Sequence, residues 1–138
     1  MFISDGHVAC MGQTACGKST ISAPGSSSFV RCYGEKACYK STIEAGRGLY
    51  SFGWYGGKNS QVYNTKQIKA YGYYSMAESI IDSQGLDSMD IEAYGYCALH
   101  HAEIYCRAGS TCHMDCKGIY FHISICIHSL SLTLFEHI

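Results

Sequence analysis

One proline stands in 138 residues, and only 15% of the chain is charged. Disordered linkers are built from proline and charge, so both scarcities argue against one. The formal net charge is -1, which offers no global attraction to nucleic acid or to an anionic membrane. The opening MFISDGHVAC has no basic flank and too brief an apolar stretch for a secretory leader. The closing GIYFHISICIHSLSLTLFEHI has about the length of a membrane span. His122, His128, Glu136 and His137 interrupt it, so no spanning helix is expected. The leucine spacing of a leucine-rich repeat is also missing. Neither end reads as well as the middle, which is the expectation for a fragment or a part of a larger repeat protein.

Glycine (15), tyrosine (12) and cysteine (9) are abundant instead. Short glycine-punctuated segments rich in tyrosine favour an all-β chain. The segments also repeat. Six of them align without a gap over sixteen positions: VACMGQTACGKSTISA from Val8, VRCYGEKACYKSTIEA from Val30, LYSFGWYGGKNSQVYN from Leu49, IKAYGYYSMAESIIDS from Ile68, IEAYGYCALHHAEIYC from Ile91 and MDCKGIYFHISICIHS from Met114. The period is 19–23 residues, and the last copy is poor after its glycine. Position 1 is always apolar. Position 5 is always glycine (Gly12, Gly34, Gly53, Gly72, Gly95, Gly118), and position 14 is always Ile or Val, from Ile21 to Ile127. Positions 3, 8 and 12 are small or Cys in the first five copies.

Alternation at positions 12, 14 and 16 describes a short strand with one buried face, and positions 1 and 3 describe another. The invariant glycine marks a corner between them. One copy cannot bury its own apolar face, but stacked copies can. The expected fold is therefore a single all-β domain over 1–138, a single-stranded β-solenoid or parallel β-helix of about six coils starting near 8, 30, 49, 68, 91 and 114. At a spacing of about 4.8 Å per coil the rod would be roughly 25–30 Å long. Residues 119–138 are expected to form a degenerate last coil or a C-terminal cap. ALHHAEIY and YSMAESIID look locally helical, yet they share the register of GKSTISA, where glycine and β-branched residues disfavour helix.

The same register explains GQTACGKST from Gly12, which fits the phosphate-loop pattern G-x-x-x-x-G-K-[ST]. The second copy reads GEKACYKST, so the string is a repeat unit to which Gly17 adds the missing glycine. Nucleotide binding is an unfavoured alternative, because Pro24 closes off the helix that such a loop must precede.

Cysteines occupy positions 3 and 9 together in the first two copies, as Cys10 with Cys16 and Cys32 with Cys38. Both positions lose Cys together in the next three copies, the pattern expected of disulfides across the glycine corner. Cys106 and Cys112 flank the spacer RAGST and are candidates for a third bridge. Such bridges imply an oxidising compartment, hence a secreted or cell-surface location. Nine is odd, and Cys97, Cys116 and Cys126 are left unassigned. The Cys/His mixture from Cys97 to Cys116 lacks the tight paired spacing of a structural zinc site, so no metal or cofactor is expected.

Aromatic residues gather around the corner. Position 4 carries Tyr33, Phe52, Tyr71 and Tyr94, and position 6 carries Trp54, Tyr73 and Tyr96. Tyr55, Tyr74 and Tyr120 follow at position 7. In a solenoid these would line into a ladder, which suits either ring-on-ring stabilisation or contact with a glycan or another protein. The candidate binding residues are the seven at positions 4 and 6. No catalytic residue is assigned: Glu44, Asp82, Glu92 and Asp115 lie on outward strand positions, separated by Tyr and Ser. The alternative is a polysaccharide lyase or hydrolase on the same fold. The leading expectation is a non-enzymatic structural or adhesive module.

The unit C-x-G-x-x-A-C-x-K-S-T-I, at Cys10–Ile21 and Cys32–Ile43, resembles the Cys/Gly-rich short repeats of large uncharacterised protist proteins. The resemblance covers about residues 8–118. It implies a right-handed parallel β-helix of the pectate-lyase-like kind and no particular activity.

Overall fold

The computed structural model describes residues 6–117, together with the backbone of 123–127 and 132–137. Thirteen strands alternate between two walls: β1 (His7–Met11), β2 (Thr20–Ala23), β3 (Phe29–Tyr33), β4 (Thr42–Ala45), β5 (Gly48–Phe52), β6 (Gln61–Tyr63), β7 (Gln67–Tyr71), β8 (Ile80–Asp82), β9 (Ser88–Tyr94), β10 (Ala102–Cys106), β11 (Thr111–Lys117), β12 (Ile123–Ile127) and β13 (Leu132–His137). The odd-numbered strands form one parallel sheet in sequence order and the even-numbered strands form the other. The chain is a parallel β-solenoid, and no described residue is helical.

Register follows the repeat. Val8, Val30, Leu49, Ile68, Ile91 and Met114 pair in one column, and Ile21, Ile43, Val62, Ile81 and Ile104 in the facing sheet. Every one of them is buried. Each such side chain contributes about 1.5–3 kcal/mol relative to exposure, and the coil above and below is what removes it from water. Burial alternates strictly along β9 and β11, the period-2 signature of a strand with one wet face.

Corners open at Gly12, Gly34, Gly53, Gly72 and Gly95, giving about five turns where the sequence suggests about six. Their φ values run from 110° to 126°, a region closed to residues with a Cβ. The backbones also touch: a Cβ on Gly34 would lie 2.8 Å from the Gly12 carbonyl oxygen, and one on Gly95 would lie 2.9 Å from the Gly72 nitrogen. The corner thus asks for glycine twice over, by its φ and by the contact between backbones.

The sixth corner, from Gly118, lies outside the described residues. Beyond it β12 and β13 continue both ladders, so this part of 119–138 keeps the coil path. Its register corrects the gapless sequence alignment, which set Ile127 opposite Ile104; Ile125 pairs there instead. Lys117 pairs with Tyr94 and Ile123 with Ala102, so the sixth copy has five connecting residues, 118–122, against seven in the fifth, 95–101. A change of two preserves the inward and outward faces.

Candidate functional site: the stapled aromatic corner

The corner is a third hydrogen-bonded wall. Alternate residues after each glycine take left-handed φ, as at Thr14 (58°), Cys16 (55°) and Lys18 (57°). The same holds for Lys36, Cys38 and Lys40 in the next coil. Left-handed φ costs about 1–2 kcal/mol for residues with a Cβ. Coil-to-coil bonds offset it: Thr14 N–H donates to the Glu35 carbonyl (2.9 Å), Lys18 N–H to that of Tyr39 (2.7 Å), and Cys38 N–H reaches back to Ala15 (2.8 Å). The amides of Gly12, Thr14, Lys18 and Ser19 are thus spent on the next coil and those of Ala15 and Gly17 on carbonyls of the corner itself, with no helix behind them. That string is a corner, and it does not form a phosphate loop.

Inside the corner run staples and a serine ladder. Cys10–Cys16, Cys32–Cys38 and Cys106–Cys112 are disulfides, with Cα separations of 5.6, 5.7 and 6.0 Å. The first two bridge positions 3 and 9 across the glycine, and the third closes the 107–111 spacer. Three bridges among the described residues of so small a chain fit an oxidising, extracellular setting. Cys97 and Cys116 are buried thiols, and Cys126 lies outside the residues whose side chains are described. Because Cys106 and Cys112 bond each other, neither supplies a thiolate to a metal.

The serine ladder escaped the sequence reading, which took position 12 as merely small. The Ser60 hydroxyl donates to the Cys38 carbonyl (2.7 Å) and accepts the Ser41 N–H (3.2 Å). Ser41 does the same for Cys16 and Ser19, and Ser79 for Gly57 and Ser60. Recurrence of Ser19, Ser41, Ser60 and Ser79 in one column was the available signal.

Outside, the seven candidate aromatics divide into two rows. Tyr33, Phe52, Tyr71 and Tyr94 stack in sequence at centroid distances of 4.8, 5.0 and 4.9 Å, with planes within 13°. These rings face one another and are half-buried. The Tyr71 hydroxyl donates to Glu92 (2.5 Å) and that of Tyr94 to Asp115 (2.9 Å). Burial, then the Glu92 carboxylate, holds the Tyr71 phenol well above the usual tyrosine range. For Tyr94 the bond to Asp115 raises it first and burial second.

The second row is open. Trp54 is 64% exposed, Tyr73 37% and Tyr96 42%. Tyr73 and Tyr96 stack at 5.1 Å with planes 5° apart, whereas Trp54 sits tilted 46° from Tyr73. Beneath them, Tyr55 stacks on Tyr74 (5.6 Å), and the Lys58 ammonium lies 5.2 and 5.7 Å from the two ring centroids. Hydrogen bonding with Cys97, then burial, pushes the Tyr74 phenol up to about 12.

Of the outward carboxylates, Glu92 and Asp115 are register neighbours on β9 and β11, whereas Glu44 and Asp82 stand on the other sheet with Tyr63 between them. Glu44 accepts from Ser22 and Asn64, Asp82 is held by both ends of the Arg107 fork, and Glu92 and Asp115 hold the two tyrosines. No helix among the described residues is long and apolar enough to cross a membrane. Compared with known proteins, the chain matches no family model, no curated protein and no solved structure.

Proposed function

We propose that this chain is a non-enzymatic β-solenoid module of a secreted or cell-surface protein, serving as a rigid spacer whose corner row contacts a glycan. The observation that carries this is the exposure of Trp54, Tyr73 and Tyr96, three rings in register on a hydrogen-bonded backbone. Tyr and Trp join ring area to a polar edge and lose little rotamer freedom on binding, which suits the apolar faces and hydroxyl rims of sugars. The tilt of Trp54 leaves it the largest free surface, so it is the anchor of the reading. The row Tyr33, Phe52, Tyr71 and Tyr94 turns its faces inward along the stack and ties its tips to carboxylates, which supports a coil-holding role instead. The resemblance of the Cys10–Ile21 unit to Cys/Gly-rich protist repeats supports a place within a longer repeat protein.

A polysaccharide-active enzyme draws less support, since Glu44, Asp82, Glu92 and Asp115 each serve a separate partner. Affinity electrophoresis through a panel of soluble polysaccharides tests the reading. At least one should retard the chain, and Trp54→Ala should weaken that retardation about tenfold, a loss of roughly 1.4 kcal/mol. Tyr63→Ala, on the opposite sheet, should leave it unchanged. Migration unaffected by every polysaccharide, or equal retardation of Trp54→Ala, would overturn it.

A further inference from the structure

Charge is distributed unevenly along this rod. Residues 1–70 hold eight Lys/Arg and three Asp/Glu, while residues 71–138 hold two and eight. Because the chain winds from one end to the other, a division in sequence is a division in space. The outward face of the odd-strand sheet carries it in a single column: Ala9, Arg31, Tyr50, Lys69, Glu92, Asp115. Beside it runs Met11, Tyr33, Phe52, Tyr71, Tyr94, Lys117. The face is therefore cationic on β3 and β7, anionic on β9, of mixed charge on β11, where Lys117 stands on the same face as Asp115, and aromatic throughout its middle.

We propose that this face docks a second copy of the chain, with the two rods antiparallel about a two-fold axis that lies along the strands between β5 and β7. Such an axis brings each column onto itself in reverse. Arg31 then meets Glu92 of the second copy twice over, Tyr50 meets Lys69, Tyr33 meets Tyr94, and Phe52 meets Tyr71. Within one copy Lys69 already lies over the Tyr50 ring at 5.2 Å, so the cation and ring are poised for that exchange. Centring the axis on β7 instead would set Lys69 against Lys69, a like-charge contact that selects the first register. Closure by a two-fold uses the same patch on both partners and leaves no free copy of it.

The size of the face sets the strength. Five-residue strands at about 3.3 Å per residue, and the six strands from β1 to β11 at about 4.8 Å, give roughly 17 by 25–30 Å, or on the order of 1,000 Å² over both partners. That is the lower end for specific association, so the dimer is concentration-dependent. The corner row with Trp54 lies around the glycine bend, and the dimer does not depend on the glycan reading.

Sedimentation equilibrium over a concentration series, at low and at high salt, is the test. A monomer–dimer equilibrium weakened by salt is expected. Arg31→Glu should raise the dissociation constant about tenfold, the change a few lost charge contacts produce. Glu92→Arg should do likewise, and the doubly reversed chain should recover dimerisation. Glu92 accepts the Tyr71 hydroxyl, so Glu92→Gln, which keeps an acceptor there, serves as the second arm if Glu92→Arg does not fold. Trp54→Ala should dimerise normally. A chain monomeric at every concentration, or a dimer indifferent to Arg31→Glu, would overturn the proposal.

Discussion

The sulfur of Met76 lies where a Cβ on Gly57 would have to go. The two occupy the same repeat position in neighbouring coils, and the pair shows how the core passes from covalent to apolar filling. In coils one and two a disulfide spans positions 3 and 9. In coils four and five Ala70 with Met76 and Ala93 with Leu99 fill the same space, all fully buried. Coil three, with Ser51 and Gly57, has the least side-chain volume there, and Met76 leans into it. Gly57→Ala should therefore destabilise the fold by roughly 1–3 kcal/mol through overpacking and its φ of +64°. In a Met76→Ala background the same change should cost less, which a double-mutant cycle in chemical denaturant reads directly.

The serine ladder makes a second prediction. Ser60→Ala strands a buried carbonyl at Cys38 and a buried N–H at Ser41, each of which has its partner in that hydroxyl. A loss of about 1–3 kcal/mol is expected. Ser26→Ala, at an exposed spacer position, should be close to neutral. Urea denaturation of the two variants separates these outcomes.

Alkali should unfold the chain through its tyrosines. Tyr71, Tyr94 and Tyr74 have phenols raised above the ordinary value of 10.0 in the folded state. A group raised on folding contributes stability that is whole below its unfolded pKa and is lost as pH climbs toward the folded one. The melting temperature should thus be unaffected by these groups below about pH 10 and fall above it. Tyr71→Phe should flatten that fall, since a phenylalanine has no proton to lose. Melting curves by circular dichroism across alkaline pH, beside tyrosinate absorbance, check both statements.

Much of this architecture was legible because a solenoid repeats its reasons. Val8 through Met114 and Ile21 through Ile104 marked the two walls, and the glycine column marked the corner between them. The joint gain and loss of cysteine at positions 3 and 9 marked the staples. The corner backbone was not legible. Positions 7, 9 and 11 hold Thr, Lys, Cys, Tyr, Met and His at left-handed φ, residues whose own preferences oppose it. The carbonyls of the neighbouring coils compensate, and these belong to the stack rather than to any local stretch. Serine at position 12 read as small when its hydroxyl was the point. The sixth copy misled by two residues because its connection is shorter, and a shift of two leaves the apolar pattern intact.

Ring rows were visible as columns, but not which row would be open. Tyr71 and Tyr94 tie their tips down because Glu92 and Asp115 stand one coil on, whereas Trp54 is tilted against Tyr73. That division decides which aromatics remain exposed.

Disulfide mapping of the oxidised chain, with thiols blocked before digestion, tests the stapled solenoid most directly. Each corner bridge closes a seven-residue loop worth about 2 kcal/mol of chain entropy. Bridged peptides Cys10–Cys16, Cys32–Cys38 and Cys106–Cys112 are expected, with Cys97 and Cys116 blocked only after unfolding. Six blocked thiols at the bridge positions, or crossed pairs such as Cys10 with Cys32, would contradict both the corner and the oxidising compartment it implies.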